Sequence, residues 1–403
     1  MIRGPLARIL GAQALSSLGN SVTTVALAVM VFDRTGSVLH MGGILAASVA
    51  PLIVMSFVGG ALLDRYDARR LMVAADVARA VLIMLMPWAA RVDVGLIYVV
   101  AALMGVFGSV FNPSQVKLVG EIALPRDLVK SNSYLSIARD GAELGGYVVG
   151  GALVVTFGYT VTFIADGASY LVSALLLLGL PRAHVTEQVR RSLSALVRDS
   201  PLAVGVIFRR PHLRTNLLFA LVPSVFILMM TPNAYALALE VFEVGATGFV
   251  VMEVGMALGF IVGGILASRI DYQGDRNRYV FWSMLCMSVG MLGVGLSDYF
   301  WLSVGLLSGG AVANVGVVVG SMTLFQEIEP RPDKGRIISV RAGFGQIATA
   351  VGLMAGGALG AIVGVRPLFV LIAIGCAVSA TVIYLPYAMS PSGRRETARE
   401  GQV

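Results

Sequence analysis

Long apolar runs, separated by short charged or glycine- and proline-rich breaks, organise this chain. The runs give twelve spans: 8–32, 38–63, 71–90, 95–118, 131–157, 159–180, 213–239, 246–268, 279–297, 299–325, 337–363 and 366–388. A helix needs roughly 20 apolar residues to cross the hydrocarbon core of a bilayer. Most breaks are so short that neighbouring helices must be antiparallel. The pattern predicts an all-α membrane protein with twelve transmembrane helices in two six-helix bundles. The bundles are expected at 1–180 and 213–390, with a cytoplasmic linker at 181–212 and a cytoplasmic tail at 391–403.

Composition agrees. Hydrophobic residues make up 57% of the 403 positions and charged residues only 13%, against about 25% charged in soluble domains. A water-facing surface could not be built from so few charges, and the spans leave no room for a large soluble domain. Arg3 and Arg8 lead into a first segment too long for a cleavable leader, so that segment is expected to stay as a span. Cys286 and Cys376 lie in separate apolar runs and read as small packing residues.

The net charge of +7 is distributed by loop. One alternating set of connections holds Arg65, Arg69 and Arg70; Arg126 and Lys130; the basic residues of 182–214; Arg269, Arg276 and Arg278; Arg331, Lys334 and Arg336; and Arg394, Arg395 and Arg399. The other set holds only Arg34, Arg91 and Arg366. Cytoplasmic loops collect Lys and Arg, so both termini and the central loop are expected on the inner side of the cell membrane. In that central loop Val189, Leu193, Leu196 and Val197 fall at helical spacing among Arg190, Arg191 and Arg198. This pattern suits an amphipathic helix on the inner leaflet.

The two halves are related. Glu121, Asp127, Gly146, Gly150, Gly151, Ala152, Leu153 and Gly158 recur 206 positions later as Glu327, Asp333, Gly352, Gly356, Gly357, Ala358, Leu359 and Gly364. Two parallel six-helix repeats are the simplest explanation, and such duplications are typical of transporters.

The loop after the second span reads Gly60-Ala-Leu-Leu-Asp64-Arg65-Tyr-Asp67-Ala-Arg69-Arg70. It resembles the signature loop of the major facilitator superfamily, with Asp67-Ala68 where many members have one glycine. The resemblance implies a conformational latch built from Gly60, Asp64, Arg65, Arg69 and Arg70, closing the two halves on the cytoplasmic side. The stretches Ala75-Asp76-Val-Ala-Arg79-Ala80, Phe111-Asn-Pro113, Leu124-Pro-Arg, Ser131-Asn132 and Asp166-Gly-Ala-Ser-Tyr-Leu-Val-Ser are similar to the drug:proton antiporters that include macrolide-efflux and enterobactin-export proteins. Gly145-Gly146-Tyr147-Val-Val-Gly150-Gly151 resembles the antiporter motif Gly-Pro-x-x-Gly-Gly with Tyr147 in place of proline. Gly352, Gly356, Gly360 and Gly364 form a row of small residues, as do Gly255, Gly259 and Gly263. Such rows let helices pack closely, and they could also slide as the halves rock.

Charges inside spans are costly, roughly 2.5–3.5 kcal/mol each on insertion scales, so each needs a reason. Arg139 and Glu143 are four apart and can pair along one face, which leaves Asp140 on another. Burial favours the neutral carboxyl, so such an acid can load and release a proton. Asp140, then Glu143, and the isolated Glu253 are the proton-coupling candidates, against the alternative of a purely structural network. Asp76 and Arg79 read as a structural pair near the cytoplasmic side, and Asp166 as an acid near a span end. Asn20 stands where similar proteins often carry an acid, and the fourth span lacks the embedded Arg of many proton antiporters. Candidate cavity residues are Asn20, Asn112, Gln115, Asn233, Asn314 and Gln346, with Phe226, Met229 and Tyr235 for apolar contact. Amphipathic ligands need that mixture.

The sequence has no Gly-x-x-x-x-Gly-Lys-Ser/Thr loop for ATP. His40, His184 and His212 show no metal spacing, and neither a nucleophile elbow nor a nucleic-acid module is present. Neither a cofactor nor an enzymatic activity is therefore expected. The expected partners are the lipid bilayer, a small molecule and protons, with the chain acting as a monomer. The resulting expectation is an exporter of an amphipathic small molecule (drug, macrolide or siderophore-like), driven by proton exchange. A lysophospholipid flippase of the same fold is the alternative, and a non-transporting receptor or scaffold is a third.

Overall fold

The computed structural model describes residues 4–122, 128–180, 205, 208–209, 211–269, 276–328 and 334–384; among them, the side chains at 56–65, 112, 120–121, 128–130, 132–133, 136–137, 140, 144, 211–213, 215–216, 219, 268–269, 276–277, 321–328, 334–340 and 383–384 lie outside the description. The chain forms two compact units, Met1–Ser200 and Pro201–Val403. The expected linker helix at 181–212 and the tail fall almost wholly outside the described residues.

Unit one contains α1 (Gly4–Thr35), α2 (Val38–Arg65), α3 (Ala68–Val92) and α4 (Val94–Ile122). It closes with the 51-residue stretch Leu128–Leu178. That stretch is two helices, α5 (128–157) and α6 (159–178), because Gly158 takes φ 76°, ψ 167°, a conformation open almost only to glycine. Unit two contains α7 (Pro211–Leu228), α8 (Gly245–Arg269), α9 (Arg276–Leu296), α10 (Phe300–Ile328), α11 (Lys334–Val363) and α12 (Val365–Ser379). Gly364 breaks α11 from α12 at φ 87°, ψ 163°. The two glycines that match in sequence thus make the same break in space. Eleven helices among the described residues are long and apolar enough to cross a membrane, and the longest, Gly141–Leu178, is the one divided at Gly158. Division there gives the twelve-helix arrangement.

Span seven departs from the single run 213–239 expected from hydropathy. Regular helix stops at Leu228, a short turn Thr231–Asn233 follows, and a wide π-helical turn covers Leu237–Val241. Pro232 has no N–H to give the helix ladder, which accounts for the interruption.

The helices carry apolar side chains outward as well as inward. Along α3, Met72, Asp76, Arg79, Ile83 and Met86 are buried, whereas Val77, Val81, Leu85 and Trp88 face outward. An apolar exterior is what a bilayer requires of its solute, and the few polar side chains of the span turn inward. Trp88, Tyr299 and Trp301 stand exposed at or near helix ends, the positions of an interfacial aromatic belt.

Packing repeats between units. α1 lies on α5, where a Cβ added at Gly146 would strike the Leu18 carbonyl and one at Gly150 would come 2.7 Å from Val22 Cα. In unit two, α7 lies on α11 in the same way, through Gly352 against Val225 and Gly356 against Met229. α2 packs on α4 through Gly105 against Ser48, and α8 packs on α10 through Gly259 against Ser308. The glycine rows at 352–360 and 255–263 are therefore both occupied by contacts within unit two.

Candidate functional site

Three helices of unit one carry polar side chains toward one another. On α1, Gln13, Ser16, Asn20, Thr23 and Thr24 recur every three or four residues along one face. On α6, Thr162, Asp166, Ser169, Tyr170 and Ser173 do the same. Between them α3 contributes Asp76 and Arg79, which are 0% and 4% exposed. These stripes border a cavity of about 310 Å³ whose wall includes Gln13, Asn20, Arg79, Phe111 and Tyr170.

Arg79 is held on several sides. Its Nη2 pairs with Asp76 Oδ1 three residues earlier on the same helix. The guanidinium carbon sits 4.6 Å from the ring centroids of both Phe111 and Tyr170. Aromatic faces stabilise a desolvated cation more than an exposed one. Asp76 also accepts from Ser173 Oγ at 2.6 Å, and Ser173 receives the Ser16 hydroxyl at 3.3 Å. The Nε of Arg79 has no partner. Unit one thus supplies from α3 the buried guanidinium that the fourth span lacks, placed against a ring of α4. The reading of Asp76 and Arg79 as a merely structural pair is too narrow, because Arg79 lines the cavity.

Asp166 corrects a second expectation. It lies in the body of α6, not at its end, and is 2% exposed. Its carboxylate accepts from the Thr23 hydroxyl of α1 and from Ser169 Oγ at 3.2 Å. No cation pairs with it directly among the described residues. Gly19 makes room for it: a Cβ there would collide with Asp166 Oδ1. Four residues along α6, Tyr170 donates from its hydroxyl to Asn20 Oδ1 at 2.6 Å. Gln115 Nε2 donates to Gln13 Oε1 at 2.5 Å, and Gln13 Nε2 to Ser17 Oγ at 2.9 Å, which fixes the near end of the α1 stripe.

The other candidates are dispersed. Asn20 lines the cavity and Gln115 stands just behind its wall, whereas Asn112 and Asp140 lie outside the described side chains. Arg139 and Glu143 are exposed on α5, and Glu253 is half-buried on α8. In unit two, Phe226 packs on Gly375, and Tyr235 is buried edge-on to Phe249. Asn314 and Gln346 are half-buried on α10 and α11. Asn233 is fully buried and its amide nitrogen donates to the Met229 carbonyl (3.0 Å) and the Gly356 carbonyl (2.9 Å), the second of which ties the end of α7 to α11.

Of the signature loop, Gly60, Asp64 and Arg65 lie outside the described side chains. Asp67 caps α3, accepting from the Arg70 backbone N–H at 2.9 Å, so it takes the place of the usual glycine with a helix start. Arg69 donates to the carbonyls of Leu177 and Leu178, and Arg8 to that of Gly179. Both cations thus cap the C-terminal end of α6, where the helix dipole favours positive charge. Arg69 works inside its own unit here, and Arg70 is exposed.

The chain also resembles known proteins. It is 25% identical over 412 residues to the "Multidrug efflux pump Tap" of Mycolicibacterium fortuitum, covering 95% of this chain and 96% of that one. It is 24% identical over 394 residues to the "Uncharacterized MFS-type transporter YfiS" of Bacillus subtilis (strain 168), covering 90% and 88%. In fold it is similar to the crystal structure of the nucleoside transporter NupG, with a TM-score of 0.77 at 12% identity, over 96% of this chain and all of that one. The family model "Major Facilitator Superfamily" matches residues 9–273 and 237–402. The chain is a membrane transporter of the Major Facilitator Superfamily.

Proposed function

We propose that this transporter exports an amphipathic small molecule from the cytoplasm by alternating access, in exchange for protons. The observation that carries the reading is the cavity of unit one, whose wall mixes amides and hydroxyls with leucine, methionine and aromatic side chains. A ligand with both apolar bulk and hydrogen-bonding groups suits that wall. The likeness to a multidrug efflux pump supports the direction of transport and the broad substrate class. On this reading 1–180 and 213–390 are the rocking bundles, joined by 181–212. The basic loops then place both termini in the cytoplasm, and the loop around Asp64 acts as the latch. The chain works as a monomer in the cell membrane.

The test uses everted membrane vesicles with an acid interior and ethidium as the probe. Ethidium should accumulate only in vesicles carrying the protein, and a protonophore should abolish the accumulation. Accumulation untouched by the protonophore would overturn proton exchange. Gradient-driven movement only in right-side-out vesicles, into their interior, would overturn export.

A further inference from the structure

We propose that Asp166 is the group that carries the exchanged proton, and that it senses the cavity through Asn20 and Thr23 of α1; this rests on the proton-exchange reading above. Three observations point to it. First, Asp166 is enclosed, yet both its side-chain partners are hydroxyls. A hydroxyl can accept a hydrogen bond from a carboxyl or donate one to a carboxylate, so both states of Asp166 can be satisfied without moving a helix. A carboxylate bonded to Arg would have only one comfortable state. Asp76 is in that position, paired with Arg79 and bonded by Ser173.

Second, the partners of Asp166 belong to the cavity. Thr23 lies on its wall and bonds Asp166 directly. Asn20 lies one helical turn away on the same face and accepts from Tyr170, which is on α6 with Asp166. A ligand that takes a hydrogen bond from Asn20 or Thr23 must therefore rearrange one of these two links between α1 and α6.

Third, the charges facing Asp166 are few. Among the described residues, α3 contributes Arg79 and Asp76, which already neutralise each other, and α6 contributes Tyr170. The facing residues of α1 (Ser16, Asn20, Thr23) are uncharged. The charge of Arg79 acts on Asp166 without bonding it. The proton step balances simply. The Asp166 carboxyl O–H breaks, the proton passes to cavity water, and the carboxylate left behind accepts from Thr23 and Ser169. Reprotonation from the opposite side of the membrane reverses it. Asp166 therefore takes the role that the sequence suggested for Asp140, Glu143 or Glu253.

Two measurements test this. In proteoliposomes, Asp166→Asn should lose gradient-driven ethidium accumulation while keeping ethidium counterflow, because counterflow needs no net proton movement. Asp140→Asn and Glu143→Gln should keep both. Independently of any substrate, N,N′-dicyclohexylcarbodiimide, which attacks protonated carboxyls in apolar surroundings, should label Asp166 in the purified wild-type protein at mildly acidic pH and spare it at alkaline pH. Thr23→Val should change that pH dependence. Gradient-driven accumulation by Asp166→Asn would overturn the proposal, as would pH-independent labelling. Loss of counterflow together with accumulation in a protein of unchanged melting temperature would also overturn it, since Asp166 would then serve the ligand rather than the proton. Failure of proton exchange itself shows differently: wild-type accumulation then survives the protonophore.

Discussion

The two units share a scaffold and differ in what they bury. α6 and α12 occupy matching places, 206 residues apart, each following a glycine of positive φ. At the positions of Asp166 and Tyr170 on α6, α12 carries Ile372 and Cys376, and all four side chains are enclosed. The neighbouring helices follow suit. α3 presents Asp76 and Arg79 to its bundle, whereas α9 presents Val280, Met284, Met287 and Met291. The charged residues that unit two does carry on described positions of α8 and α11, Glu253 and Arg341, are only half-buried. The two units therefore share their packing, while among the described residues the enclosed charges lie in unit one. Intramembrane charge costs free energy wherever it is placed, and among the described residues the fully enclosed charged side chains are Asp76 and Arg79 on α3 and Asp166 on α6.

The sharpest way to break this comparison is to remove one charge. Arg79→Leu should destabilise the protein by about 3–5 kcal/mol, because Asp76 is left enclosed without its cation. The double variant Asp76→Leu with Arg79→Leu should regain most of that loss, since well-packed apolar residues often replace a buried pair at little cost. It should still fail to transport. Thermal unfolding in detergent and vesicle uptake together check this. A double variant that transports normally would reduce the cluster to packing.

The shared scaffold predicts equal effects in the two units. Gly150→Val on α5 and Gly356→Val on α11 each force a side chain onto the backbone of the facing helix, at Val22 and Met229. Each should cost about 1–3 kcal/mol, the usual range for overpacking. Gly145→Ala, with nothing within 4 Å of its added Cβ, should melt with the wild type. A marked inequality between Gly150→Val and Gly356→Val would show that one of these seams does more than pack.

Hydropathy made the scaffold legible because the bilayer imposes length and polarity on every span. The break at Gly158 was legible too, through its partner Gly364. The site was legible only in pieces. Asn20 stands out because similar proteins often carry an acid at its place, but the stripe from Gln13 to Thr24 shows only when positions are counted at three- and four-residue spacing. The same counting along α6 joins Thr162, Asp166, Ser169, Tyr170 and Ser173. Asp166 was misplaced because the distance of an acid from a span end is a weak guide to depth. Arg79 was undervalued because sequence separation hides the rings of Phe111 and Tyr170 that enclose it. Asn233 shows a structural use that a sequence does not display: its amide nitrogen serves the carbonyls of a broken helix and of the helix packed on it.

Asn233 gives the next, smaller test. It donates to the Gly356 carbonyl of α11 and to the Met229 carbonyl four residues back, at the point where α7 loses its regular ladder. In unit one the equivalent seam of α1 and α5 has no such break. Asn233→Ala should cost about 1 kcal/mol, the scale of interhelical hydrogen bonds in membranes, and should leave the carbodiimide labelling of Asp166 unchanged. A change in that labelling would link the two units energetically.

The smallest effect belongs to the rims. In unit one, Asp93 caps α4, accepting from the Gly95 N–H at 2.6 Å. In unit two the corresponding turn carries Asp298, which reaches across to Arg366 at 2.6 Å, at the start of α12. That pair joins two hairpins, so it looks like a clamp particular to unit two. It is also exposed, with Asp298 at 77%, and water screens such pairs until they contribute little. Asp298→Asn should therefore shift stability by no more than about half a kcal/mol, and the melting temperature should not depend on salt more than that of the wild type. A larger loss would mean that the α9–α10 and α11–α12 turns move as one body, a constraint with no counterpart at Asp93.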